Sequence, residues 1–153
     1  MSIRDAGEEP PVTPKTSLPV DFLFRLDARI LAPVPVSPGP QGDRLIIGVD
    51  GGRFEGPALR GDIVPGASSE WATTRGDGSV KADVRLLLLT DDGAHVLMTY
   101  NGIGTQEAGG LRVRTAPVFE TGDERYAWLN QVQAVGIGTP TEHGIAYDVY
   151  RLL

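Results

Sequence analysis

The chain contains no cysteine. That excludes a disulfide scaffold, a thiolate-ligated zinc site and a thiol nucleophile. Its only imidazoles are His95 and His143, too few for a multi-histidine centre, so no metal site is expected. No apolar run approaches the roughly 18 residues of a membrane helix. The opening stretch Met1–Pro19 is too polar and too proline-rich for a signal peptide. A soluble, cytoplasmic protein with no membrane partner is therefore expected. Basic charge is also scarce: 14 Lys and Arg stand against 20 Asp and Glu, a net charge of −6, which argues against a nucleic-acid partner.

Turn formers, by contrast, are plentiful. The 153 residues include 20 glycines and 12 prolines, about a fifth of the chain, yet 41% of the residues are hydrophobic, enough to bury a core. The length fits one domain. Eight of the prolines lie in the first forty residues. Pro10, Pro11, Pro14 and Pro19 punctuate a segment without apolar period, so residues 1–18 read as a flexible tail or arm and 19–153 as the folded domain. The second cluster (Pro33, Pro35, Pro38, Pro40) reads as a long loop, because proline cannot donate to a sheet ladder.

Between the clusters, Val20 to Ile30 alternates. Val20, Phe22, Phe24, Leu26, Ala28 and Ile30 share one face, and Asp21, Arg25, Asp27 and Arg29 the other, which is the signature of a strand. Turn signals then recur at Gly51-Gly52, Gly61, Pro65-Gly66, Asp77-Gly78, Asp92-Gly93, Gly109-Gly110, Gly122, Gly136 to Gly138 and Gly144. They leave strands over 44–49, 53–60, 70–75, 80–90, 94–101, 110–119, 131–137 and 145–152. The hairpin around Asp91-Asp92-Gly93 is the best defined. Only 123–130, with acidic residues in front and good helix formers inside, predicts a short helix. Consecutive strands joined by short turns make an antiparallel meander, and a long meander removes its edges by closing. The expected fold is all-β: a single antiparallel β-barrel of about 8–10 strands with one short helix.

Several motifs, in order, carry a resemblance: Gly51-Gly52-Arg53-Phe54-Glu55-Gly56-Pro57, Leu59-Arg60-Gly61 and Pro65-Gly66, then Arg75-Gly76-Asp77-Gly78, Asp83-Val84-Arg85 and Thr90-Asp91-Asp92-Gly93-Ala94. Arg114 to Thr121 and Tyr126-Ala127-Trp128-Leu129-Asn130 close the series. Over roughly residues 20–153 the chain resembles the Domain of Unknown Function 3237 family, which implies a compact antiparallel β-barrel and no particular activity. Two departures stand out. Where the family usually has Gly-Gly-Ala-Asp-Trp, this chain has Gly66-Ala67-Ser68-Ser69-Glu70-Trp71, keeping an acidic residue before the tryptophan on a longer arm. Leu86 stands where an aromatic residue often follows the arginine of Asp-Ala-Arg.

Residues with chemical potential cluster on a few strands. Asp83 and Arg85 share a strand face with Lys81 and Leu87, while Ala82, Val84, Leu86 and Leu88 form the apolar face. If the polar face looks inward, Asp83 is a general base or acid in a sheltered cavity with Arg85 beside it. If not, the two form an exposed ion pair. Trp71, Thr73 and Arg75 share a face of the neighbouring strand and so fall beside Asp83 as substrate-binding candidates, with Trp71 as a flat apolar wall; barrel core or a solvated face is the plain alternative. Glu70 faces the other way. Arg114, near Glu120, is a third catalytic candidate, its fork suited to a carboxylate or enolate oxygen, or else it makes a salt bridge. Asn130 could donate to the same oxygen or tie down the helix end. Trp128 is a ligand wall or a plug joining helix to barrel, and Tyr100 a phenolic acid or a core tyrosine. The Gly136-Ile137-Gly138 and Gly102-Ile103-Gly104 stretches lack a following helix and are no nucleotide cradle. Ser68-Ser69 has no nucleophile motif around it, and His95 and His143 belong to turns.

Three functions fit these residues. The first is a cofactor-independent enzyme of lyase, isomerase or cyclase type acting on an apolar or aromatic small organic molecule, with Asp83 moving a proton and Arg85 or Arg114 stabilising oxygen charge. The second is a non-catalytic, lipocalin-like binding barrel. The third is a structural homo-oligomer, where an exposed strand edge or a swapped N-terminal arm would favour a homodimer. What the barrel interior holds discriminates among them.

Overall fold

The computed structural model describes residues 13–153. Residues 1–12 of the expected tail lie outside that range, and 13–19 carry no strand or helix. Eleven strands follow: β1 Val20–Ile30, β2 Val34–Gly39, β3 Gly42–Glu55, β4 Arg60–Ile63, β5 Ser69–Thr74, β6 Val80–Thr90, β7 His95–Glu107, β8 Gly110–Thr115, β9 Val118–Glu120, β10 Ala134–Pro140 and β11 Gly144–Leu152. A 3-10 helix, Glu124–Gln131, stands between β9 and β10.

Every pairing is antiparallel, and β1, β3, β5, β6, β7, β8, β10 and β11 form a closed ring of eight strands. Closure joins β1 to β11, from Val20 opposite Leu152 to Arg29 opposite Gly144. The meander is thus a barrel, as its turn spacing requires. The Asp-Gly hairpins hold because Gly78 and Gly93 take φ of 83° and 93°, a region closed to most side chains.

Two expectations need correction. The proline-rich 31–43 stretch is not all loop: β2 pairs with β3 through Val34, Pro35 and Val36. Among the described residues its other edge has no partner strand, which is where a sheet tolerates proline. Nor is Gly51-Gly52 a turn. It is a bend within the single long strand β3, where a side chain on Gly52 would run into the Asp27 carbonyl of β1.

The inward face of the ring strands is mainly their apolar face. Ala82, Val84, Leu86 and Leu88 of β6, for example, are all buried. At one end the 3-10 helix closes the barrel. Asp123 caps it by accepting from the Arg125 N–H at 3.0 Å, and the Tyr126 hydroxyl donates to the Asp92 carboxylate of the β6–β7 turn at 2.8 Å. Leu129 is thereby driven into the core with no exposed surface, which stabilises the fold by about 1.5–3 kcal/mol. Beneath it the Phe24 ring packs against Phe54 at 5.5 Å and Phe119 at 6.0 Å. The opposite half has a different lining: Ala72, Ala82, Gly102, Gly104, Gly136 and Gly138 are all buried on the inner wall.

Candidate functional site

In that second half the inner wall turns polar. Glu70 on β5 lies across from Ile47 of β3 and Val84 of β6, and Val84 lies across from Tyr100 of β7. Since Ile47, Val84 and Tyr100 are all buried, Glu70 shares the inward row. Tyr147 enters from β11, opposite Leu26 and Gly138. Its ring fits because position 138 has no side chain: a methyl there would collide with it. The Tyr100 and Tyr147 rings meet edge-to-face with centroids 5.4 Å apart.

The electrostatics follow from burial. Loss of water raises the Glu70 carboxyl pKa above its ordinary value, with no hydrogen bond or ion pair to offset it. Burial also raises both phenols, the nearby Glu70 charge pushes them further, and their hydroxyls act on each other. The phenols therefore stay protonated at neutral pH as donors, while the carboxyl titrates closer to neutrality and can exchange a proton. Glu70 is half-buried rather than sealed, so solvent reaches it. On the same wall Thr115 is buried, and its Oγ1 has no hydrogen-bond partner.

The residues singled out from sequence lie mostly elsewhere. The polar face of β6 is the outer one. Asp83 and Arg85 form an ion pair at 3.6 Å with side chains 46% and 67% exposed, because an apolar interior leaves charged positions to the solvent side. Trp71 is 50% exposed on the same outer surface. These residues do converge: Trp71, Thr73, Arg75 and Asp83 line a groove of about 180 Å³ with Gln41, Arg44 and Lys81. Arg85 and Asp83 border a second outer groove of about 210 Å³. Arg114, also exposed, donates to Thr105 Oγ1 at 3.2 Å and to the Glu107 carboxylate at 3.2 Å, away from both. Asn130 latches the helix end, with Oδ1 accepting from the Thr121 N–H at 2.8 Å and Nδ2 donating to the Thr121 carbonyl at 3.0 Å. Trp128 packs partly buried against the core, with the Arg151 guanidinium 5.9 Å from its ring centroid. His95 and His143 are exposed.

Of the sequence candidates, Tyr100 alone belongs to the inner cluster. Tyr147 is not among those candidates, and Glu70 is the residue that alternation places on the face opposite Trp71. The available signal was a polar-tipped residue on an otherwise apolar strand face: Glu70 alternating with Ala72, and Tyr147 with Val149.

The molecule is therefore a closed antiparallel β-barrel with a polar cluster on the inner wall of one half. It belongs to the family described as protein of unknown function (DUF3237), whose sequence pattern matches residues 18–152. The UPF0311 protein RPA1785 of Rhodopseudomonas palustris is 27% identical over 151 residues, covering 90% of this chain and 98% of that protein. The crystal structure of RPA1785 matches with a TM-score of 0.84 at 26% identity, over 91% of this chain and all of that one. A beta-barrel like protein of Acinetobacter baumannii AYE, ABAYE2633, matches with a TM-score of 0.81 at 27% identity, over 90% of this chain and 99% of that one. The hydroalkoxylation enzyme phnH of Penicillium herquei is 37% identical over 87 residues, which is 56% of this chain. That alignment spans about half the length of phnH, 51%.

Proposed function

We propose that the barrel is an acid/base enzyme acting on a small organic molecule held in the half remote from the 3-10 helix. Glu70 is the proton carrier, and Tyr100 and Tyr147 are the hydrogen-bond donors. The observation that carries this reading is an inward carboxyl with no partner, its pKa raised by burial, beside two protonated phenols. A desolvated carboxyl keeps its proton to higher pH than a solvated one, and fixed donors stabilise the oxygen charge that develops when a substrate gives up a proton to it.

Similarity to a hydroalkoxylation enzyme supports proton-transfer chemistry as the reaction class. Adding an O–H across a carbon–carbon double bond needs a base to take the hydroxyl proton as the C–O bond forms. It also needs an acid to return a proton to the other alkene carbon. No electrons are exchanged with the protein. Elimination, isomerisation and cyclisation use the same inventory. The test is conversion of a panel of ortho-alkenyl phenols and conjugated enones. Glu70→Gln, which keeps shape and removes the carboxyl, should lower turnover by roughly 10²–10⁴-fold. Unchanged turnover would contradict the assignment.

One observation favours a second reading. Trp71, Thr73, Arg75 and Asp83 share one outer groove with Arg44 and Lys81. An aromatic surface among three cations suits an anionic ring compound. Asp83→Asn reducing turnover while Glu70→Gln does not would move the chemistry to this groove.

A further inference from the structure

Charge is distributed across the barrel wall with one consequence for the substrate. Among the described residues no arginine, lysine or histidine is buried. Arg44, Arg75 and Lys81 line the outer groove instead. Inside, the only charge-bearing group of the cluster is a carboxyl. The remaining polar atoms there are neutral hydroxyls: two phenols and Thr115 Oγ1, which is buried without a partner. A buried hydroxyl lacking a hydrogen bond destabilises the fold, and such a group on a functional wall is explained when a ligand supplies the missing bond.

We infer that the interior selects neutral, ring-sized molecules bearing a carbonyl or hydroxyl oxygen, uses Thr115 as one of its binding residues, and rejects carboxylates and phosphates. This rests on the reading that the interior is the ligand site, but it does not require catalysis. An anion entering the wall would meet no opposite charge. It would lose its hydration shell and stand beside a carboxyl that already lacks a partner. A neutral carbonyl can accept from the phenols or from Thr115, and a neutral hydroxyl can donate to Glu70.

The experiment is methyl-resolved NMR of the full-length protein titrated with a matched pair, 4-hydroxyacetophenone and 4-hydroxybenzoate, which differ chiefly in charge. The neutral member should shift the methyl signals of Ala82, Val84 and Val113. The carboxylate should bind there roughly a hundredfold more weakly or not at all. Thr115→Val should weaken the neutral ligand about tenfold, the worth of one lost hydrogen bond. It should also raise Tm, because the orphaned hydroxyl is gone. Equal binding of both members at those methyls overturns the selectivity, and undiminished binding to Thr115→Val overturns the role of Thr115. Absence of any shift with the neutral member overturns the interior as a ligand site and takes the catalytic reading with it. Selective neutral binding alongside unchanged turnover in Glu70→Gln would leave this inference standing and remove only the catalysis.

Discussion

The two halves of the barrel are lined by different kinds of side chain. Toward the 3-10 helix the wall carries Phe24, Phe54, Leu86, Leu88, Phe119 and Leu129, all buried in one contiguous core. Toward the other end the wall carries Ala72, Ala82, Gly102, Gly104, Gly136 and Gly138, with Glu70, Tyr100, Tyr147 and Thr115 among them. Large apolar residues maximise burial and hold the fold. Small residues surrounding incompletely satisfied polar groups give up stability. On the proposed function, one half holds the fold and the other carries the chemistry.

Breaking each half separately sharpens that division. The largest effect expected is on chemistry: Glu70→Gln removes turnover by roughly 10²–10⁴-fold with no loss of Tm. Leu129→Ala, in the packed half, should destabilise by about 2–5 kcal/mol, read by denaturant unfolding, while the fraction that stays folded keeps its ligand affinity. Gly138→Ala lies between these. Its methyl collides with the Tyr147 ring, so ligand binding should fall by about tenfold or more, with a stability loss of about 1–3 kcal/mol.

A pH series separates the halves again. The Glu70 pKa is raised in the folded protein, so its protonated form favours folding. That contribution is complete below the ordinary glutamate value of about 4.3 and is lost as pH rises through the folded-state value. The Tm advantage of Glu70→Gln over the parent should therefore be absent at low pH and grow toward neutral pH. A constant offset would mean that Glu70 is not desolvated. The smallest effect is expected outside the barrel: Asp83→Asn, which breaks an exposed 3.6 Å pair with Arg85, should leave Tm within about 1–2 °C.

The fold was legible in the sequence where periodicity and turn chemistry agreed. Val20–Ile30 and Val80–Thr90 are strands over the ranges marked, although a bulge between Phe22 and Phe24 breaks the alternation of the first, leaving Val20 and Phe22 exposed and burying Leu23; the Asp77-Gly78 and Asp92-Gly93 turns are hairpins. Gly51-Gly52 misled because glycine marks both turns and close approaches between strands, and only pairing on both edges of β3 distinguishes them. The prolines of 33–40 misled because the rule excluding proline from sheets does not hold at an unpartnered edge. The site was less legible. Alternation separates two faces without saying which is inside, and a polar face rich in Asp83, Arg85 and Trp71 draws attention as chemistry. Closure of the barrel around the apolar face reverses that. It makes the exceptions on the apolar face, Glu70 and Tyr147, the residues of interest.

The account turns on Glu70, and site-resolved carboxyl ¹³C NMR of that residue across pH, with and without 4-hydroxyacetophenone, tests it most directly. The account predicts a midpoint above the ordinary carboxylate range and a further displacement when the neutral ligand occupies the barrel. A midpoint near that of a solvated glutamate, indifferent to ligand, would contradict it.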